Sequence, residues 1–281
     1  MIDIRRQKAD LHIHTCYSDG EAEPASIVKT AARLGYDVIA VTDHDNFGGV
    51  REAVETGRRE GLEVITGIEL AAETEEGIGL HILGYGMDID NPEFAAAVGE
   101  LSVRRHRRNV KLLEVLEEKG CPVSLEELES RQPGGFVGKP VIARAMVEKG
   151  YIDDYKEAFE GERFFGSPEA RAVRKEKLSA SSAIALINGA GGTAVFAHPI
   201  QTKHMGQTGS DEFYENIEKI IRRLKEQGLG GIECCHPDQD DMQTERFVRL
   251  AEKYGLCITR GSDFHGADFA EAEHTADISH I

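Results

Sequence analysis

The sequence predicts an α/β barrel interrupted by a helical insertion. Three observations lead there. Short apolar strands alternate with amphipathic helices up to Asp90 and again from Leu178 onward. Between them, residues 91–177 read as charged helices without a convincing strand. Histidines and carboxylates recur just where the predicted strands end, which in a barrel is the face that carries chemistry.

The first strand lies in DLHIHTCYSDG, from Asp10 to Gly20. Strand alternation puts Asp10, His12 and His14 on one face and turns Leu11 and Ile13 into packing. EPASIVKTAARLGY follows as a helix, with Pro24 suited to its first turn and Gly35 to its stop. DVIAVTDHD is a second strand, GVREAVETGRREG a helix, LEVITGIEL a third strand and GLHILGYG a fourth. Their alternation implies a parallel sheet with helices outside it. Asn91–Pro92 then opens a long charged helix that stops at Gly120, and SLEELES carries a capping-box pattern at Ser124 and Glu127. VIARAMVEKG and DDYKEAFE continue as helical pieces. The barrel resumes with strand GGTAVFAHP, helix FYENIEKIIRRLKEQG, strand GGIECC, helix TERFVRLAEKYG and strand LCIT. Residues 1–90 and 178–281 are thus expected to form the barrel, with 91–177 inserted as a lid that selects the substrate.

Composition narrows the class. A chain of 281 residues holds one large domain, or one domain with an insertion. Its 40% hydrophobic content supports a core, and no apolar run is of membrane-spanning or signal-peptide length. A soluble, cytoplasmic protein without a membrane partner is expected. Five cysteines without CxxC spacing read as reduced thiols. The net charge of −17 argues against a long nucleic acid as partner. The stretch Glu100–Lys177 is nevertheless nearly balanced, with 16 basic and 15 acidic residues, so a small anionic substrate is compatible.

The metal-type residues at strand ends are His12, His14, Asp43, His44, Glu69, His81, His198, Asp263 and His265, with Asp19 in the loop after the first strand. Imidazole mixed with carboxylate, and no thiolate, favours Mn, Fe or Zn. So many donors exceed one coordination sphere and suit two or three ions. Glu69 could bridge neighbouring ions at the ~3.5–4 Å spacing of multi-metal hydrolytic sites.

Taken in order, DLHIHTCYSDG, VTDHD, GIEL, LHILGY, AHP and ITRGSDFHG resemble the signatures of the PHP (polymerase and histidinol phosphatase) family of metal-dependent phosphoesterases. GKPVIARAMVEKGY and GGIECCHPDQDD resemble its small stand-alone branch. That branch includes nucleoside 3′,5′-bisphosphate phosphatases, short-RNA 5′ exonucleases and phosphodiesterases of phosphoribosyl cyclic phosphates. The resemblance implies a distorted (β/α)7 barrel and a trinuclear site. It implies a first ion on His12, His14, Glu69 and Asp263, a second on Asp19, His44 and His265, and a third on Glu69, His81 and His198. Glu69, Asp263 and His198 are the expected catalytic residues among these ligands. Hydroxide held between ions would attack phosphorus in a small phosphorylated nucleotide or sugar phosphate. Asp10 and Asp43 are expected behind the ligands, orienting imidazoles. The branch often has a histidine after its Lys/Arg-Pro pair, where this chain has Val141 after Lys139 and Pro140.

Arg171, Arg174, Lys175 and Lys177 in SPEARAVRKEK, with Lys139, Arg144 and His236, are the expected substrate-binding residues. His106, inside RRHRR, reads as part of a solvated helix face, and His204, His274 and His280 are assigned no role. Alternatives within the family are a histidinol-phosphate phosphatase, a short-RNA 5′ exonuclease and a non-catalytic module. A metal-dependent amidohydrolase on a similar barrel is the alternative outside it.

Overall fold

The computed structural model describes residues 7–272; His274 and His280 lie outside them. Seven strands follow one path: β1 (Ala9–Ile13), β2 (Val38–Val41), β3 (Glu63–Glu73), β4 (Gly79–Tyr85), then, after the two-residue β5 (Leu178–Ser179) that pairs beside β3, β6 (Thr193–Phe196), β7 (Gly231–Cys235) and β8 (Cys257–Arg260). The sheet curls until its ends nearly meet. Beyond β8, the His14 N–H donates to the Phe264 carbonyl at 2.9 Å, tying the last strand region to the first.

One expectation is corrected. The sheet is parallel across β1–β2–β3 and β6–β7–β8, but β4 runs antiparallel to both β3 and β6. Only Thr74–Ile78 connects β3 to β4, too short for the crossover that a parallel pair needs. The link is a tight turn in which Gly77 takes φ 78° and Thr74 N–H donates to Ile78 O at 2.9 Å. This reversal has a functional result. The beginning of β4, not its end, faces the rim where the parallel strands finish, and His81 stands there.

Helices α1 (Pro24–Arg33) and α2 (Val50–Glu60) bury Ile27, Val28, Val50 and Ala53 against the first strands. Helix α3 (Pro92–Glu118) is capped by Asn91, whose side chain accepts from the Glu93 and Phe94 amides. Its first turns belong to the barrel, since Phe94, Val98 and Leu101 share the core of Ile68, Ile82 and Phe196. A separate apolar cluster begins at Leu112. It joins the end of α3 to α4 (Leu125–Arg131), α5 (Lys139–Glu148) and α6 (Pro168–Ala172) through Leu128, Ile142, Met146, Phe164 and Ala170. Of the capping box expected before α4, only half forms. Ser124 accepts from the Glu127 amide, while the Glu127 carboxylate pairs with Arg131 and Lys149. Helices α7 (Ala180–Gly189), α8 (Asp211–Glu226) and α9 (Asp241–Lys253) clothe the resumed barrel. No helix among the described residues is long and apolar enough to cross a membrane, and all five cysteines are free.

Candidate metal centre

The nine expected ligands converge on one rim. His12 lies in β1 and His14 just after it, His44 follows β2, Glu69 lies within β3, His81 near the start of β4, His198 after β6, and Asp263 and His265 after β8. Glu69 is at the middle. Its Oε1 lies 2.7 Å from His81 Nδ1 and 2.9 Å from His198 Nε2. Its Oε2 lies 2.7 Å from His44 Nδ1 and 3.4 Å from both His12 Nε2 and His14 Nε2. Each oxygen of one buried carboxylate thus faces a different set of rings. Asp263 Oδ1 reaches His14 Nε2 at 3.1 Å and His12 Nε2 at 3.4 Å. Asp19 Oδ1 lies 3.3 Å from His265 Nε2, and its Oδ2 lies 3.9 Å from His44 Nε2.

Among the described residues, four groupings could each surround a cation: His14, Asp19, His44 and His265; His12, His14 and Asp263; His12, Glu69 and His198; and His44, Glu69 and His81. The donor atoms of each group lie within 4.8 Å of one another. His12 Nε2, His14 Nε2, Asp19 Oδ1 and Glu69 Oε2 are buried and, despite the short approaches just described, none meets a partner at hydrogen-bonding geometry. Burying polar atoms so is costly unless a ligand completes them. Four such atoms aimed inward, of mixed imidazole and carboxylate type, fit divalent transition cations.

Electrostatics divides the rings: burial opposes their charge, but Glu233, Glu69 and Asp263 raise His12, Glu69 and Asp19 raise His44 to about 9, and Asp19 raises His265, so cations bound there would have to displace protons. Burial, then the neighbouring His265 and His44, push the His14 imidazole down to about 3, so its ring keeps a lone pair to offer. Burial alone would raise the Glu69 and Asp263 carboxyls. The His44, His81 and His12 rings hold Glu69, and the His12, His14 and His236 groups hold Asp263, well below the ordinary carboxylate range. Both carboxylates are therefore anionic across the working pH range. Backbone strain marks the site too. His198 at φ 25° and Asp263 at φ 51° occupy the left-handed region that non-glycine residues rarely adopt.

Behind the ligands, the expected arrangement differs in detail. Asp10 accepts from the backbone amides of His12 (3.3 Å) and Ser262 (3.0 Å) and touches no ring. It therefore staples β1 to the segment after β8 instead of orienting an imidazole. Burial raises its carboxyl to about 6, against the hydrogen bonds from Ser262 and His12. Asp43 accepts from Thr15 N–H (2.8 Å), Thr15 Oγ1 (2.7 Å) and Ser18 Oγ (2.5 Å), and only through Ser18 does it approach His14 Nδ1. The residue that does hold an imidazole is Glu233, in β7. Its Oε1 lies 2.9 Å from His12 Nδ1, which turns Nε2 inward, and its Oε2 accepts the His198 N–H at 2.6 Å. A lone carboxylate inside the otherwise apolar GGIECC was the available signal.

The substrate-binding expectations divide. Arg144 reaches the rim, its Nη2 donating to the Asp19 carbonyl at 3.0 Å. His236 does too, with Nε2 3.4 Å from Asp263 Oδ2. Lys175 is drawn inward to Asp45, where Arg105 also pairs. Lys139 lies 5.2 Å over the Phe165 ring. Lys177 is half-buried beside Gly79, while Arg171 and Arg174 are exposed. His106 is exposed and pairs with Glu129, yet Arg105 and Arg108 of the same RRHRR run are buried. Their spacing shows why: Leu101, Arg105, Arg108 and Leu112 share one helix stripe.

Comparison with known proteins agrees with this geometry. The family model for the PHP domain matches residues 10–234. A 5′-3′ exoribonuclease of Haemophilus influenzae is 31% identical over 92% of this chain and 90% of its own length. A phosphoribosyl 1,2-cyclic phosphate 1,2-diphosphodiesterase of Eggerthella lenta is 34% identical over 92% and 94%. A 3′,5′-nucleoside bisphosphate phosphatase of Chromobacterium violaceum is 30% identical over 97% and 93%. Two solved structures each cover 96% of this chain and 91% of their own. One is described as an amidohydrolase of Chromobacterium violaceum with bound sulfate (TM-score 0.82, 28% identity), the other as a metal-dependent phosphoesterase of Bifidobacterium adolescentis (0.78, 27%). With its ligand rim, its barrel and these relatives taken together, this chain belongs to the PHP domain family, as a metal-dependent phosphoesterase.

Proposed function

We propose that this phosphoesterase hydrolyses a small phosphorylated nucleotide or sugar phosphate, of the nucleoside 3′,5′-bisphosphate or phosphoribosyl cyclic phosphate type. The observation that carries the reading is Glu69, whose two oxygens face separate ring sets within one buried cluster. We take the cluster to hold two to three divalent ions of Mn, Fe or Zn on His12, His14, Asp19, His44, Glu69, His81, His198, Asp263 and His265. When bound, such ions acidify water and offset negative charge on phosphoryl oxygens. The chain's own part is positional. Glu233 fixes His12 through its ring and His198 through its amide, so two ligands from different strands keep one geometry. Arg144, from the insertion, sets the Asp19 loop by its carbonyl. His236, beside Asp263, is placed to meet a phosphoryl oxygen or a leaving group. The insertion within residues 91–177, apart from the first turns of α3 that pack in the barrel core, acts as the lid over this rim.

A screen of the metal-loaded protein tests the substrate class. Adenosine 3′,5′-bisphosphate, a phosphoribosyl cyclic phosphate, a short 5′-phosphorylated RNA, histidinol phosphate and p-nitrophenyl phosphate would be compared by kcat/KM. One of the first two is expected to lead by at least about tenfold, the discrimination that one charge-assisted contact supplies. A lead by the RNA would move the reading to an exoribonuclease, and a lead by histidinol phosphate would overturn it.

A further inference from the structure

Behind the rim, one run of hydrogen bonds has a direction that can be read. A backbone N–H only donates and an ionised carboxylate only accepts, so the protons between such groups have fixed places. Tyr17 N–H donates to Thr15 Oγ1 at 3.1 Å, and the Thr15 hydroxyl donates in turn to Asp43 Oδ2 at 2.7 Å. Thr15 N–H donates to Asp43 Oδ1 at 2.8 Å, and the Ser18 hydroxyl donates to the same oxygen at 2.5 Å. Burial raises the Asp43 carboxyl, and the bonds from Ser18 and Thr15 oppose the rise. Surrounded by three donors, the group acts as an acceptor.

What remains on Ser18 Oγ is a lone pair. His14 Nδ1 lies 3.4 Å from that oxygen. His14, Thr15, Ser18 and Asp43 are all fully buried, so each proton must find its partner within the group. With the Ser18 proton committed to Asp43, Nδ1 is the donor of this contact. The neutral ring then carries its proton on Nδ1 and a lone pair on Nε2. The other ring of HIH is held differently. His12 Nδ1 meets the Glu233 carboxylate directly, whereas the carboxylate on the Nδ1 side of His14, that of Asp19, is 3.9 Å away.

We propose that Ser18 is a positioning residue that fixes the tautomer of His14, carrying the orientation of Asp43 and Thr15 to the ring. This assignment rests on the metal reading above. His14 then offers only Nε2, which faces Asp263 Oδ1 at 3.1 Å and Glu69 Oε2 at 3.4 Å. Without the Ser18 oxygen, a proton on Nδ1 has no partner, while one on Nε2 can be donated to Asp263. The ring would then turn a hydrogen toward the rim where it now turns a lone pair, and a cation there would lose a donor.

The test uses the full chain, prepared free of metal and then titrated with zinc. Proton-correlated nitrogen-15 spectra of histidine-labelled protein near neutral pH read which His14 nitrogen carries the proton, with the His14 signals identified by their absence from His14→Gln. The proton is expected on Nδ1 in the wild-type chain, and on Nε2 or shared between both nitrogens in Ser18→Ala. By calorimetry, Ser18→Ala should weaken zinc binding at one site about ten- to a hundredfold. Ser167→Ala is the control. It also removes a fully buried hydroxyl, one that caps α6 by accepting the Ala170 N–H, and should lower the melting temperature without changing zinc affinity. A wild-type proton on Nε2, unchanged zinc affinity in Ser18→Ala, or an equal loss in Ser167→Ala would overturn the assignment. A wild-type chain that carries the proton on Nδ1 but binds no zinc would keep the tautomer and overturn the metal reading instead. Should Ser18→Ala fail to fold, the wild-type tautomer decides, and Ser18→Cys, similar in shape but a weaker acceptor, carries the affinity measurement.

Discussion

Replacing Glu69 with glutamine is expected to cut turnover by at least about a hundredfold, the scale of removing a principal electrostatic element from a metal-assisted site. The reason lies in the two faces of its carboxylate. Oε1 serves the His81 and His198 side, and Oε2 serves the His12, His14 and His44 side. An amide of the same shape has one oxygen and one NH2 group. Whichever way it turns, one side loses an anionic donor and gains two hydrogens. Cations held close together then also lose the negative charge between them. The fold should persist, because the apolar core of Ile68, Leu70, Ile82 and Phe196 is untouched. Turnover, metal content and thermal unfolding of the purified variant check this together. A folded variant with full metal content and near-normal turnover would show that Glu69 does not link two ions.

Gly261→Ala should be nearly as damaging, although it adds a single methyl group and changes no charge. A Cβ at Gly261 would lie 2.1 Å from the His12 Cβ and 2.8 Å from Glu233 Oε1. Both neighbours are held in place, His12 by its strand and Glu233 by its contacts with His12 and the His198 amide. Relief requires the segment after β8 to move away from β1, which opens the closure of the barrel and turns His12 off its Glu233 partner. Overpacking of this kind typically costs about 1–3 kcal/mol, and more where nothing can yield. Activity should fall by at least about a hundredfold with the loss of His12 geometry. Gly150→Ala is the control. It adds a Cβ in open space at φ 72°, should cost about 1 kcal/mol in backbone strain, and should leave kcat/KM near normal. A Gly261→Ala protein with normal metal content and turnover would remove this account of how the rim is set.

The gathering of ligands was legible in the sequence because it rests on a simple rule. Strand ends in a barrel share a face, so HIH, TDHD, GIEL and SDFH had to meet if their strands were read correctly. His81 reached the same place by a different route, through a reversed β4, and only the short Thr74–Ile78 link hinted at it. Residues that act behind the ligands were harder to see. Glu233 and Gly261 matter through what they approach in space, and neither carries a motif. Asp10 and Asp43 were recognised as buried partners, but their acceptors' choice of backbone amides and hydroxyls over ring nitrogens depends on side-chain directions that strand periodicity does not supply. RRHRR was legible as a basic run and illegible as a divided one, until its phase against Leu101 and Leu112 placed two of its arginines inside.

In the function proposed here, one carboxylate-centred cluster holds more than one ion in the working enzyme. The most direct measurement is the number of Mn, Fe or Zn ions per chain by elemental analysis, followed alongside phosphoesterase activity as metal is removed by a chelator and restored. About two to three ions per chain are expected, with activity lost before the last ion leaves and regained only when more than one returns. A protein that binds at most one ion and is fully active in that state would contradict it.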